Sequence, residues 1–344
     1  MRTTHFLSAL LLAALFSAEA FAQPVVTVYS ARKEELIKPI FDSFTKKTGI
    51  EVRFLGDDAP KLIARIGSEG AASPADLLIT VDAANLELAR SKGLFQPVTS
   101  AVLEKNIPAA YRHPDKEWFG LSMRVRAIFY NKAAVKPEEL STYEDLADPR
   151  WKNGILIRPS AHPYNQSLLA NIIAVHGEEG ALAWTKGFVA NFARSPQGGD
   201  SDQLRALAAG EAKLAIANSY YYGRMSVSQL PEDKAVAEKV GIFFPNQKAG
   251  KGELSGAHVN ISGGGVLKHA KHKKEAIELL EFLSSKEAQH LYAEANKEYP
   301  IDRSLADDKT LTSWGSFKAD ATPVSAFATH ANAAARISDI AGWK

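Results

Sequence analysis

From residue 24 onward the chain alternates short apolar runs with stretches of helical periodicity, and this alternation limits the fold more than any other feature. "PVVTVYS" (24–30) reads as a strand, and Leu36, Ile37, Ile40, Phe41 and Phe44 then recur at helical spacing before Gly49 closes the helix. "IEVRFLG" is a second strand, Leu62, Ile63 and Ile66 mark a second helix, and "ADLLITV" (75–81) is a third strand. That last run is continuously apolar, as in strands buried on both faces of a parallel sheet. A βαβαβ opening of this kind predicts a doubly wound α/β domain.

A second cycle follows. "RAIFYN" (126–131), "GILIRP" (154–159) and "KLAIAN" (213–218) read as strands, with helices through "SLLANIIAVHG" and "DQLRALAAGE". "VGIFFP" and "HVNISGGGVL" are further strands, and "KKEAIELLEFLSSKEAQHLYAEAN" is a long amphipathic helical stretch. No Gly/Ser-rich linker separates the two cycles. Two α/β units joined by crossing strands are therefore expected, with a cleft between them where ligands bind.

The chain opens "MRTTHFLSALLLAALFSAEAFAQ", an arginine before an apolar run that ends in Ala20-Phe21-Ala22. This is the pattern of a secretory signal peptide over residues 1–22, with the mature chain starting near Gln23. The run falls short of the ~20 apolar residues a membrane anchor needs. The chain has no cysteine, which excludes disulfides, thiolate metal sites, a cysteine nucleophile and a lipid-modified N-terminal cysteine. These features together predict an exported protein of the bacterial periplasm, without lipid anchor or stable membrane insertion. The leader carries one arginine and one glutamate out of 41 basic and 39 acidic residues, so the mature chain stays near neutral. That balance argues against nucleic acid as a partner.

Common catalytic signatures are missing: there is no G-x-S-x-G elbow and no H-E-x-x-H. "SGGGV" (262–266) lacks the lysine and hydroxyl of a phosphate loop, so its glycines are assigned to close strand packing. "KHAKHKK" (268–274) reads as a solvated basic surface, and Asp57–Asp58 as a helix N-cap. No nucleophile and base assemble, so an enzyme is not expected.

The chemistry concentrates in "ANSYYYG" (217–223), directly after the strand "KLAIAN". Residues at the C-terminal end of an α/β strand face the ligand crevice. Neighbouring residues on a helical turn diverge by roughly 100°, so two of Tyr220, Tyr221 and Tyr222 can converge and the third cannot. Two readings are open at this point: a packed wall of rings for an organic ligand, or a hard-metal site of phenolate oxygens. A phenol with a pKa near 10 ionises at neutral pH only beside a strong cation, which points to a trivalent ion. Tyr164 in "RPSAHPYNQS" also follows a strand and opens a helix. Arg124 and Arg126 alternate on one strand and share a face, as an anion or phenolate partner or as a solvated pair.

The motifs "TVYSAR", "KKTGIEV", "SPADLLITVD", "WFGLSMRVRAIFYN", "STYEDLADPRWKNGILIRPSAHPYNQS", "ANSYYYG" and "VGIFFPNQ" occur in an order that resembles the periplasmic ferric-ion-binding proteins, in their tyrosine-rich branch. The resemblance runs from about Val25 to the final "AGWK". It implies a two-lobed, type II Venus-flytrap fold with hinge strands. The lobe boundaries are expected at 23–122 with 247–297 for the N-terminal lobe, and 123–246 with 298–344 for the C-terminal lobe. It further implies Fe(III) bound by Tyr164, Tyr220 and Tyr221, with Arg124 close to the metal and Tyr222 outside the ligand set. Where many relatives carry His-Tyr after "VYS-x-R", this chain has Lys33 and Glu34. Glu34 is a possible carboxylate ligand, Lys33 a possible partner for an anion, and carbonate or water are alternatives there. The resemblance also implies delivery to an ABC transporter permease by a monomer. The alternatives are the same fold holding a carboxylate, polyamine or thiamine-like compound between tyrosine walls, and a secreted enzyme.

Overall fold

A thirteen-residue strand that belongs to both halves of the molecule organises the fold. The structure is a computed structural model that describes residues 23–248 and 250–344; the expected leader, residues 1–22, lies outside them. The strands are β1 (Val25–Ser30), β2 (Glu51–Gly56), β3 (Leu77–Thr80), β4 (Phe119–Asn131), β5 (Ile155–Leu156), β6 (Leu214–Asn218), β7 (Val240–Phe243), β8 (Val259–Val266) and β9 (Tyr299–Pro300). They hydrogen-bond in the order β2-β1-β3-β8-β4-β6-β5, with β7 and β9 also pairing β4. β1 runs parallel to β2 and β3, as the βαβαβ pattern predicts.

The segment Phe119–Val125 of β4 pairs antiparallel with β8 and continues the first half's sheet. From Arg126 to Asn131 the same strand pairs with β6 and β7 instead. The sequence pattern marks this second part and places Arg124 with it, but not the start at Phe119; the strand is buried on both faces from Phe119 to Phe129. The glycines of β8 allow close packing beside it. A Cβ at Gly263 would stand 2.6 Å from the Phe119 carbonyl oxygen, and one at Gly265 2.5 Å from that of Glu117.

Other elements depart from the pattern at identifiable residues. The "GILIRP" strand shortens to β5, because the chain turns toward the helix Pro163–Ala190. That helix breaks its geometry at Gly177 (φ 69°, ψ 175°). The stretch 273–296 splits into helices Lys273–Leu283 and Lys286–Asn296, since the Ser285 hydroxyl caps the second by accepting from the Ala288 N–H. No helix among the described residues is long and apolar enough to cross a membrane.

Where the two halves meet, two buried polar groups hold the backbone. Arg126 is 1% exposed and its guanidinium reaches Asp200 (0% exposed), Asn218 Oδ1 and, at 2.7 Å, Asn165 Oδ1. Asp200 in turn accepts from the Asn218 N–H at 2.8 Å, and Asn165 Nδ2 donates to the carbonyls of Arg158 and Pro159. One arginine therefore ties β4 to the segments leading into Tyr164 and Tyr220. His258, just before β8, is also buried, with its ring nitrogens against Ser167 Oγ and the Asn171 amide, both at 3.1 Å. Burial, reinforced by Arg126 and Arg124 against an opposing Asp320, pushes its pKa down to about 3.

Two outcomes are expected. The folded protein keeps His258 neutral, whereas the unfolded chain protonates it near its ordinary 6.5. Its contribution is therefore complete above that pH and falls by up to about 1.4 kcal/mol per unit as the pH drops toward 3. Urea unfolding at pH 7 and pH 5 should show this loss, and H258Q should show a smaller one. In R126M the Asp200 carboxylate stays buried without its partner, and unfolding experiments should show a loss of about 3–5 kcal/mol. Adding D200N should recover part of it.

Candidate metal centre

A cavity of about 330 Å³ opens between the two halves. Leu36, Asp58, Val81, Arg32 and Lys33 line it from the first half, and Tyr164, Tyr220, Tyr221, Arg124, Arg224 and His162 from the second. Tyr164 stands in the first turn of its helix, where Pro163 starts the turn and the His162 ring nitrogen accepts from the Tyr164 N–H at 3.3 Å. Tyr220 and Tyr221 occupy the first turn of the helix Ser219–Val227, immediately after β6. The hydroxyls of Tyr164 and Tyr220 are 2.9 Å apart. The rings of Tyr220 and Tyr221 stack with centroids 4.2 Å apart and planes inclined by 29°.

Tyr222 does not line this cavity. Its hydroxyl donates to the Val240 carbonyl at 2.9 Å, and its ring packs on Phe129 and Trp314. The helical divergence of successive residues turns it into the core of the second half.

The cavity holds protonated phenols among cationic side chains. Burial pushes the Tyr164 phenol up to about 12, although Arg124 beside it works the other way. Tyr220 is pushed well up by burial and by the neighbouring Tyr164 and Tyr221. Without a strong positive charge these two phenols stay protonated at neutral pH. Arg124 is buried, not a solvated arginine. It lies 5.5 Å from the Tyr164 ring centroid and donates to Ser262 Oγ at 2.9 Å. Arg32 donates to the same hydroxyl at 2.7 Å and pairs with Glu298 at 2.8 Å. Burial would raise the Glu298 carboxyl, but Arg32 and Arg124 outweigh it and hold the group below its usual range. Burial and the nearby arginines Arg158, Arg126 and Arg124 push His162 down to about 3, so it is a neutral ring.

The Lys33–Glu34 pair divides. Lys33 lines the cavity, whereas Glu34 opens onto a separate one of about 310 Å³ beside Lys38, Phe41 and Phe54. The helix Glu34–Thr48 causes this, because consecutive residues in its first turn point in different directions. Several polar cavity residues escape the sequence reading, among them Arg32, Glu298, Arg224, His162 and Asp58. Arg224 lies over the rings of both Tyr220 and Tyr221, 5.2 Å from each centroid. Its spacing of four from Tyr220 was the available signal. His162 and Asp58 carry no signal of that kind; Asp58 reads locally as an N-cap.

A second group of candidate metal ligands, His113, Asp115 and Glu117, is present among the described residues. Its capacity is already engaged: His113 Nδ1 accepts from the Asp115 N–H, and Arg90 lies 3.8 Å from Glu117.

Comparison with known proteins agrees with this architecture. The family described as bacterial extracellular solute-binding protein matches residues 40–319. Iron uptake protein A1 of Synechocystis sp. is 48% identical over 322 residues, covering 94% of this chain and 88% of that protein. The Trichodesmium protein (IdiA, FutA), solved in complex with iron and citrate, superposes with a TM-score of 0.88 at 50% identity, covering 93% of this chain and 100% of the other. A ferric binding protein from Campylobacter jejuni gives 0.86 at 41% identity, covering 93% and 100%. With crossing strands between two α/β halves and a polar cleft at their junction, the chain has the two-lobed type II periplasmic-binding-protein fold and belongs to the bacterial extracellular solute-binding protein family.

Proposed function

We propose that this protein binds ferric iron in the interlobe cleft through the phenolates of Tyr164, Tyr220 and Tyr221. The observation that carries the reading is the 2.9 Å approach of the Tyr164 and Tyr220 hydroxyls, with Tyr221 stacked alongside. Buried phenols that approach this closely can share one cation, and a trivalent ion is the kind that displaces their protons. Three phenolates neutralise Fe(III). The cavity of about 330 Å³ is larger than the ion, so a synergistic anion such as carbonate fits beside it. Arg124, helped by Lys33, offsets the added negative charge. The names of the similar proteins, which are iron uptake and ferric-binding proteins, support the same cargo.

The wider role follows from that cargo and the family. The protein captures iron in the periplasm, and its lobes, 23–122 with 247–297 and 123–246 with 298–344, close over the ion by a hinge motion. The closed form then delivers iron to an inner-membrane ABC permease as a binding protein without catalytic activity. The stacked Tyr220–Tyr221 rings also suit a flat organic ligand, and the same titration decides between the two.

Chelator-stripped protein titrated with ferric iron in excess citrate should develop a visible phenolate-to-iron charge-transfer band. Changing both Tyr220 and Tyr221 to phenylalanine should abolish the band and the binding; unchanged affinity would favour the organic ligand. Each phenol gives up its proton on binding, so apparent affinity should rise steeply with pH and fall as the solution is acidified, approaching about three decades per unit. Tyr222→Phe should keep the band and lose about 1 kcal/mol of stability with its hydrogen bond to Val240.

A further inference from the structure

We infer that the first lobe's contribution to the metal is the carboxylate of Asp58, which coordinates the ion when the lobes close; this rests on the ferric reading of the cleft. Two carboxylates line the cavity, Asp58 and Glu298. Glu298 is committed, since it is buried, paired with Arg32 at 2.8 Å and accepts from Ser122 Oγ at 2.7 Å. Asp58 is exposed, with 78% of its side chain accessible, on the first-lobe wall of the same cavity as the three phenols. The other first-lobe residues there are poor donors. Ala31, Leu36 and Val81 are apolar, Arg32 is engaged by Glu298, and a charged Lys33 has no lone pair.

The local structure leaves Asp58 free for this task. It stands at the N-cap of the helix Ala59–Glu69, yet its side chain makes no capping hydrogen bond. The carboxylate turns to the Lys61 ammonium at 3.3 Å. That ammonium also has Asp57 at 3.1 Å, so Asp58 can leave it without stranding a charge. An exposed pair of this kind contributes little, and a carboxylate oxygen on a trivalent ion is a far stronger contact. Exchange of Lys61 for iron therefore links metal capture to closure. Three phenolates and one carboxylate carry a single negative charge in excess, which Lys33 and Arg124 face.

The test compares wild type with D58N, D58E and E34Q, each loaded with ferric iron against citrate. Three quantities are followed: affinity, the charge-transfer wavelength, and the radius of gyration from small-angle scattering. D58N should lose at least about tenfold in affinity, shift the band to longer wavelength as the iron loses an anionic donor, and stay as expanded as the iron-free protein. D58E should recover part of each change. E34Q, whose carboxylate faces the other cavity, should match wild type. A coloured wild type with an unaltered D58N overturns this inference alone, as does a loss in E34Q in place of D58N. A colourless wild type overturns the phenolate reading and this inference with it.

Discussion

A guanidinium and a carboxylate, both removed from water, hold the site together. Arg126 lies where β4 changes partners, and Asp200 opens a helix of the second half. Their pairing alone would be a weak source of stability, because desolvation offsets most of the attraction. Its value is geometric. Through Asn165 the same arginine fixes the turn before Tyr164, and through Asn218 the turn before Tyr220. The phenol oxygens belong to residues 56 positions apart in sequence, and their 2.9 Å separation depends on this shared anchor. Pairing with Asp200, and hydrogen bonds from both terminal guanidinium nitrogens, make the burial of these charges tolerable.

The same withdrawal of water governs the phenols. Burial and mutual proximity make ionising Tyr164 and Tyr220 costly, so the protein holds them as neutral groups with one hydrogen bond between them. A cation that binds must supply the energy of ionisation. Weakly charged cations do so poorly, which is a form of selection by charge. Around the phenols, Arg124, Arg224 and Lys33 make the cleft attractive to anions before any metal arrives. On the proposed ferric reading, such a site suits a highly charged cation joined by an anion.

The strand and helix alternation of the first half was legible because β1 partly alternates, β3 is a short unbroken apolar run and the helix Glu34–Thr48 buries apolar residues at helical spacing. The placing of the tyrosines was legible in part, since strand ends and helical divergence separate Tyr222 from its neighbours. The start of β4 was not, because Gly120 and Ser122 interrupt its apolar run although both are buried. Nor was the burial of Arg124 and Arg126, since partners at Ser262 and Asp200 are distant in the chain. Lys33 and Glu34 are adjacent in sequence, and only the helix direction sends them to different cavities. Asp58 was hidden by a plausible local role that its side chain does not fill.

The place of β8 also sets an order in time. β8 lies between β3 and β4, so the first half's sheet lacks an inner strand until residues 259–266 join it. The strands of the second half's sheet, by contrast, all fall between 126 and 243. Contacts close in sequence form faster than those that must close long loops. The small sheet of the half that carries the tyrosines can therefore form early, whereas its long helix waits for Trp343 to pack on Phe188. Both halves are closed by segments that come late in the chain, β8 for the one and the C-terminal residues for the other.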